Sequence, residues 1–568
     1  LLAIFKSHPW WASILHAFCQ QSKESLLFLA LPFPSYSNSS YNKNENEPYF
    51  LTYLVNFDGF KAVEVNSNKG LVFRSAVPIK NKTWESIIGK IRIFPKAIFE
   101  PSTLEDLIDI VKLATITNKT IRCVAQGHLM SSLSDTENYL VVVTNLNKVT
   151  VQKHPKYGWT ATAEAGTSLS DFENALRNHD PPLTIDSATE YNTLRVSGVV
   201  ATGAHGGKTS SGIISDQLCS MKIVTGSGEV SEFSEEISES EFNAAKVNLV
   251  SNFIIIRFTW YNLFGDFPCT TDVQFRMNDV FIPINEWLNP KNVKNLLESS
   301  EGAMLLYFPF NGFNPSDPNS LDPNRDQIWV KNWVRTDEPV SFTQQQLEQS
   351  QENQRQDAII QYKLRNSLIQ NPKATPNITA TLWSDFTASS GNTSFVYQVP
   401  EVIHFLIGEE SIKFEAMESA FKVSPDFSNV VTEYLYITKL LRDFAEKGKF
   451  PINYFVEFRF IKSTEALLSN TFNKDPEVLY CHIDLVTAAG TPYWEEFVQL
   501  IALRLFDKYK AKPHWTKEWE YIPNVRTYLS EVLLNEIKQF EKIRAKYDPN
   551  KMFFDNKSLQ DIFSKALN

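Results

Sequence analysis

The sequence predicts an α+β fold built from at least two domains, and three observations carry that prediction. The chain has 568 residues, more than one hydrophobic core normally organises. Short apolar runs that read as strands recur along most of its length. Between them lie stretches whose apolar residues return every three or four positions, as on the buried face of a helix. The composition is that of a globular chain, with 43% hydrophobic and 21% charged residues, and 41 Phe with 12 Trp supply bulk for large cores. A net charge of −10 argues against a nucleic-acid surface, which normally shows a basic stripe. A small or neutral substrate suits the chain better.

Residues 1–34 are hydrophobic but interrupted by Lys6, Gln20, Gln21, Lys23 and Glu24. No run reaches the roughly 18 apolar residues that a membrane-spanning helix needs, so no integral membrane span is expected. The stretch reads as a helical extension. "SLLFLALPFPSYS" has no basic start close before it, so it does not establish a secretory leader, and the compartment stays unknown. "SNSSYNKNENEP" (37–48) is a polar linker, and 49–80 alternates weakly, as added strands would. Residues 1–82 are therefore set apart as an N-terminal extension.

From 83 the pattern sharpens. In "PSTLEDLIDIVKLAT", Ser102 followed by Glu105 predicts a capping box, and Leu104, Leu107, Ile108 and Val111 form one apolar helical face. Strands are predicted at 121–124, 139–146 and 158–166, and a helix at 169–178 capped near Ser168. A glycine-rich segment spans 197–212, and a hairpin turns at Gly226-Ser227-Gly228. This makes 83–265 one α+β unit. In the second half "MLLYFPF", "QIWVKNWV", "YFVEFRFI" and "LYCHIDLV" read as strands of a larger sheet with helices, over 266–527. The tail, 528–568, opens on an amphipathic run at 528–546. Five widely spaced cysteines with no C-x-x-C make a zinc site or a disulfide framework unlikely, and no metal site is expected.

Two segments have the chemistry of a phosphate cradle. One is Ala125-Gln126-Gly127-His128-Leu129. The other is "SGVVATGAHGG", Ser197 to Gly207. Glycine lets backbone N–H groups approach an anion, and successive N–H groups in a turn form an anion nest. Two such turns can clasp a pyrophosphate. Neither is a G-x-G-x-x-G opening a helix, so a nicotinamide site of the Rossmann kind is not supported, and there is no G-x-x-x-x-G-K-[ST] loop.

Taken in order, "FEPSTLEDLIDIVKLA", "GHLMSSLSDTENYLVVVTNLNKV", "TATAEAGTSLSDFENAL", "SGVVATGAHGG", "VEFRF", "KPHWTK" and "YDPNKMFF" resemble the vanillyl-alcohol-oxidase superfamily of flavoproteins. Within it the chain is most similar to the aldonolactone oxidases, the L-gulonolactone and D-arabinono-1,4-lactone enzymes. The resemblance implies a two-subdomain FAD-binding domain of the PCMH type, then a sheet-plus-helices substrate or cap domain, then a tail that packs back on the first. It implies FAD as cofactor, bonded covalently through His128. The cofactor-binding residues it implies are Gln126, Gly127, His128, Leu129, Ser132, Gly198, Thr202, Gly203, His205, Gly206, Ile255 and His514. The chain departs from the family motif where Ala125 replaces the first glycine and Leu129 the serine after the histidine. "LVSNFIII" (249–256) also lacks the two glycines of the corresponding family stretch.

The catalytic residues follow from strand alternation and the same resemblance. In "YFVEFRFI", Glu457 and Arg459 face one way. An Arg there steadies a developing alkoxide, and a Glu orients it. By resemblance this pair lies over the flavin and Lys517 lies near the reacting hydroxyl. His482 and Asp484 share one strand face, and by resemblance that strand contacts substrate. A gate residue controlling access of O2 to the flavin falls in Ser187-Ala188-Thr189, with Ala188 taken as a substrate contact. The implied activity is oxidation of a hydroxyl of a sugar-1,4-lactone by hydride transfer to flavin N5, with O2 or another acceptor reoxidising it. An alditol or oligosaccharide oxidase is the first alternative. A redox-silent relative that binds a carbohydrate or protein partner is the second, motivated by the missing glycines.

Overall fold

The computed structural model describes residues 26–32, 50–56, 78–79, 82–249, 266–268, 270–271, 274–317, 320–322, 325–390, 393–404 and 413–567. Near the N-terminus, Leu26–Pro32 is a strand paired antiparallel with Phe50–Asn56. The expected helical extension is corrected over that stretch: partnered residue for residue, the run takes its backbone hydrogen bonds from a second strand rather than from itself.

The first half is built on a parallel sheet of Ala97–Phe99, Tyr139–Val142 and Ile121–Val124, in that spatial order. Helix Leu104–Thr117 supplies the crossover, burying Leu107, Ile110, Val111 and Ala114. Its capping box lies one residue later than the sequence suggested. Thr103 is the cap, its hydroxyl accepting from the Asp106 N–H, and Asp106 Oδ2 accepts from the N–H groups of both Ser102 and Thr103 at 3.0 Å. The shorter Asp reaches back where Glu105 would point away. Helix Leu169–Arg177 starts at Ser168 as expected, and the hairpin Ser220–Val224/Val230–Ser234 turns with Gly228 at φ +84°. Strands Val149–His154 and Gly158–Ala163 pair antiparallel, and Asp266–Pro268 adds to their edge.

The second half is an eight-stranded antiparallel sheet. Its order is Thr393–Gln398, Gln274–Pro283, Gln327–Thr336, Gly302–Tyr307, Phe455–Lys462, Leu479–Ala488, Phe414–Lys422 and Lys512–Pro513. Helices Ser428–Ala445 and Trp494–Tyr509 bury Tyr434, Ile437, Leu441, Phe497 and Ile501 in the same core. The strand register matters for the site. Asp484 sits opposite Glu457 on one neighbour and opposite Glu418 on the other. One step along the same face, Arg459 sits opposite His482.

The tail forms three helices, Val525–Val532, Leu534–Tyr547 and Lys557–Leu567. The single run expected at 528–546 breaks at Leu533 (φ −108°), outside helical geometry. The tail touches the first half at several points. The Ile121 N–H donates to Met552 O (2.8 Å), Asn556 Nδ2 to Ser132 O (2.7 Å) and Thr136 Oγ1 to Asp555 (2.6 Å).

Candidate active site

The turn after strand Ile121–Val124 is held tight by its glycine. Gly127 has φ +85°, and a Cβ there would come within 2.6 Å of the Trp84 ring. Only glycine takes this conformation and this approach without strain. The turn presents Gln126, Gly127, His128 and Leu129 to a cavity whose far wall is Leu194, Arg195, Gly198, Val199 and Thr202. Arg195 ties the walls together, donating from Nε to Gln126 Oε1 (2.9 Å) and from Nη1 to Gly166 O (3.1 Å). A Cβ on Gly198 would meet no atom within 4 Å, so that glycine leaves the cradle open. Ala125 and Leu129 also line it.

A second cavity adjoins the first, and His128, Leu194, Ala204, His514 and Thr516 line both. Its polar lining comes from distant segments: Glu190 and Tyr191 from the first half, Glu418, Arg459 and Asp484 from the large sheet, and Lys517 beyond it. The segment carrying Lys517 is pinned on two sides. The His514 N–H donates to Glu418 O (2.9 Å), and Thr516 O accepts from the Met130 N–H (2.7 Å).

Arg459 is the electrostatic centre. Four carboxyl groups surround its guanidinium: Glu190 at 3.5 Å, Glu418 and Glu457 at 3.4 Å each, and Asp484 at 3.6 Å. Asp484 Oδ2 also accepts from Lys517 Nζ at 3.0 Å. Crowding of four buried carboxyls around one guanidinium favours protons on some of them. Burial and the neighbouring Glu190 push the Glu457 carboxyl well above its usual range, against the pull of Arg459. Glu457 is therefore a neutral acid beside Glu190. Burial raises Asp484 to about 6, with Lys517 opposing the rise. Glu418 goes the other way. Burial works against its ionisation, but the surrounding imidazoles outweigh it, and the carboxyl sits well below its usual range.

Glu418 joins the two halves. Its Oε1 receives His205 Nε2 at 2.7 Å and His482 Nδ1 at 2.6 Å, and the two rings lie 3.7 Å apart. These three groups have metal-ligand types within 4.8 Å of one another. Their ligand atoms already touch at hydrogen-bond distance, however, and Arg459 covers the other Glu418 oxygen. The cluster reads as a hydrogen-bonded junction. Burial lowers His128 and His514 to about 4, so both imidazoles are neutral at physiological pH.

The site residues named from sequence fall into groups. Gln126, Gly127, His128, Leu129, Gly198 and Thr202 line the cradle, His514 lines both cavities, and Arg459, Asp484, Lys517 and His205 line the second. Glu457 and His482 line neither: each is buried behind the lining, Glu457 against Arg459 and His482 against Glu418. Ala188 is fully buried, and its carbonyl lies 2.4 Å from where a Gly206 Cβ would stand. Those two residues hold each other outside both cavities. The loop's contribution to the lining is Thr189, Glu190 and Tyr191. Gly203 packs on Val247 rather than into the cradle. Ser132 gives its N–H and hydroxyl to Glu520 (2.6 and 2.5 Å). Ile255 lies outside the described residues. Sequence reasoning did not find Glu190, Tyr191 or Glu418.

Residues 95–234 match the family profile described as FAD binding domain, and residues 321–561 match that of D-arabinono-1,4-lactone oxidase. The chain thus carries an FAD binding domain followed by a D-arabinono-1,4-lactone oxidase domain, and it is similar to the aldonolactone oxidases. L-Gulonolactone oxidase of Scyliorhinus torazame is 24% identical over 81% of this chain and 94% of its own. That of Bos taurus is 23% identical over 85% and 98%. D-Arabinono-1,4-lactone oxidase of Yarrowia lipolytica is 30% identical over 40% of this chain and 41% of its own. Among solved structures, a cholesterol oxidase from B. sterolicum matches with a TM-score of 0.68, covering 86% of this chain and 97% of that one at 15% identity, a likeness of fold. The cofactor of this aldonolactone-oxidase-like chain is FAD. The cradle fits it: one wall is opened by Gly198, the turn packs tightly on Trp84 at Gly127, and the buried hydroxyl of Ser134 in the lining has no hydrogen-bond partner of its own. Among the described residues, no helix is long and apolar enough to cross a membrane.

Proposed function

We propose that the protein oxidises a CH–OH group of a sugar-1,4-lactone, with FAD in the cradle and the lactone in the adjoining cavity. One observation carries the reading: Arg459 and Lys517 line a buried cavity that shares a wall, through His128 and His514, with the flavin cradle. When bound, the flavin supplies a two-electron hydride acceptor and passes the electrons on to O2 or another acceptor. The chain's own residues do the rest. Arg459 and Lys517 stabilise negative charge developing on the substrate oxygen in a site screened from water. Glu190 and Asp484 offer carboxyl oxygens to neighbouring hydroxyls. Glu457 keeps Arg459 in place from behind.

A panel of aldono-1,4-lactones mixed anaerobically with the holoenzyme tests this, read as loss of visible flavin absorbance. Bleaching by a lactone at rates above those with alditols or oligosaccharides is expected. Bleaching by alditols alone would move the assignment to the polyol oxidases, and no bleaching by any would end it.

The covalent tether is assigned to His128, supported by its position at the junction of both cavities and by its neutral imidazole, which leaves a nitrogen lone pair for bonding. Acid precipitation is expected to leave flavin in the pellet of the wild-type protein and in the supernatant of His128→Ala. Flavin that stays with the denatured variant would place the tether elsewhere.

A further inference from the structure

Oxidising an alcohol removes a hydride from carbon and a proton from oxygen, so the cavity must hold a group that takes the proton. Among the described residues lining it, most acid and base groups are already committed. Arg459 is a cation, and Lys517 is kept one: burial works against its charge, and Asp484 and Glu418 outweigh burial. Burial raises the Tyr191 phenol, which stays protonated. Glu418 has both oxygens engaged, one by two imidazoles and the other by Arg459. Glu190 turns its Oε1 toward the Arg459 guanidinium at 3.5 Å. His514 Nδ1 accepts from Thr516 at 3.0 Å, and buried imidazoles at about 4 take a proton weakly.

Asp484 divides its two oxygens. Its Oδ2 is fixed by Lys517 (3.0 Å) and Arg459 (3.6 Å), while its Oδ1 is buried and has no hydrogen-bond partner. Glu190 also has a buried oxygen without a hydrogen-bond partner, but there it is Oε1, the one that faces Arg459 at 3.5 Å. The residue is 4% exposed and lines the cavity. We propose that Asp484 is the general base of the reaction, taking the substrate hydroxyl proton on Oδ1 while Lys517 and Arg459 hold Oδ2. The inference rests on the lactone-oxidising reading above. The O–H bond breaks and its proton goes to Oδ1. The O–H electron pair becomes the second bond of C=O as the carbinol carbon loses hydride to the acceptor. With O2 as final acceptor, two electrons and two protons give H2O2, and the proton held on Asp484 is released toward that balance.

The surroundings suit a base that works near neutrality. Glu457 and Glu418 flank Asp484 on the two neighbouring strands, Tyr191 faces it from the loop, and Arg459 and Lys517 face it as cations. Burial and these neighbours leave the group at about 6, above an ordinary carboxylic acid and high enough to accept a proton usefully.

The test uses anaerobic flavin reduction by saturating lactone across pH. In the wild-type holoenzyme the rate is expected to rise through a pKa near 6. Asp484→Asn, close to isosteric, is expected to lower the saturating rate at least ~100-fold, to lose that pH limb, and to leave KM within a few-fold. Formate is expected to restore part of the rate in Asp484→Ala. In the cofactor-free protein, an infrared pH titration is expected to show a carboxylic C=O band titrating near 6 that Asp484→Asn lacks. Wild-type bleaching together with an unchanged rate and pH profile in Asp484→Asn overturns the assignment and leaves the oxidase reading standing. A wild-type holoenzyme that no lactone or alditol bleaches overturns the oxidase reading, and the role of Asp484 falls with it.

Discussion

Replacing Arg459 with Met is expected to lower the rate of flavin reduction by about 10²–10³-fold and to destabilise the fold by about 3–5 kcal/mol. Both effects have one origin. The Arg459 side chain is 8% exposed and faces four carboxyl groups from four segments: Glu190, Glu418, Glu457 and Asp484. Methionine fills the volume but removes the cation at the centre of those carboxyls, leaving Lys517 beside Asp484 and the buried Lys331 toward Glu190 and Glu457. The carboxyls would take up protons or draw apart, and either response removes the field that stabilises an alkoxide. Rapid mixing with lactone measures the first effect and a thermal melt the second. Partial recovery of rate by free guanidinium in Arg459→Ala would separate charge from packing. A melt and a rate both near wild type would remove Arg459 from its assigned role. Glu457→Gln makes the contrast. Because Glu457 is a neutral acid behind Arg459, an amide can replace it, and the loss is expected to stay within about tenfold, the scale of one neutral hydrogen bond.

Lys517→Met is expected to cut turnover at pH 7 by about 100-fold, and its pH profile carries the sign of the interaction. Lys517 lowers the pKa of Asp484 by holding Oδ2, against the upward push of burial. Without the ammonium, Asp484 keeps its proton to higher pH. The rising limb, near 6 in the wild-type protein, is therefore expected to move upward, with part of the lost rate returning in alkaline buffer. A limb that stays in place would show that Lys517 and Asp484 are not coupled. A limb that moves down would mean that the ion pair is absent in the working enzyme.

Local pattern carried a good deal of the fold. The Gly127 turn with its histidine, the Ser168 cap and the 226–228 hairpin are short-range features, each decided by a few neighbouring residues. Alternation in "YFVEFRFI" correctly paired Glu457 with Arg459 on one face, because a strand has a period of two whatever it packs against. The same reasoning failed at Phe414–Lys422. Seven successive residues of that strand are buried, Glu415 and Glu418 among them, so its polar positions do not follow the alternation that marks a half-exposed strand. Glu418, on which both halves of the protein meet, was hidden there. Glu190 was missed for a related reason: it lies in an irregular loop after Ser187-Ala188-Thr189, where no period assigns a direction to a side chain.

The sequence alone determined the cofactor class, the order of the two halves and the Arg459, Asp484 and Lys517 that line the second cavity, because these are written in contiguous motifs. The protonation of the site was decided only by the tertiary structure. Glu190, Glu418, Glu457 and Asp484 look alike in the chain, yet one is a neutral acid, one is held ionised by imidazoles and one is left near 6 with an open oxygen. A carboxyl's pKa depends on burial and on charges within a few ångströms. Here those charges come from segments hundreds of residues apart, joined by the register of one sheet and the docking of one loop.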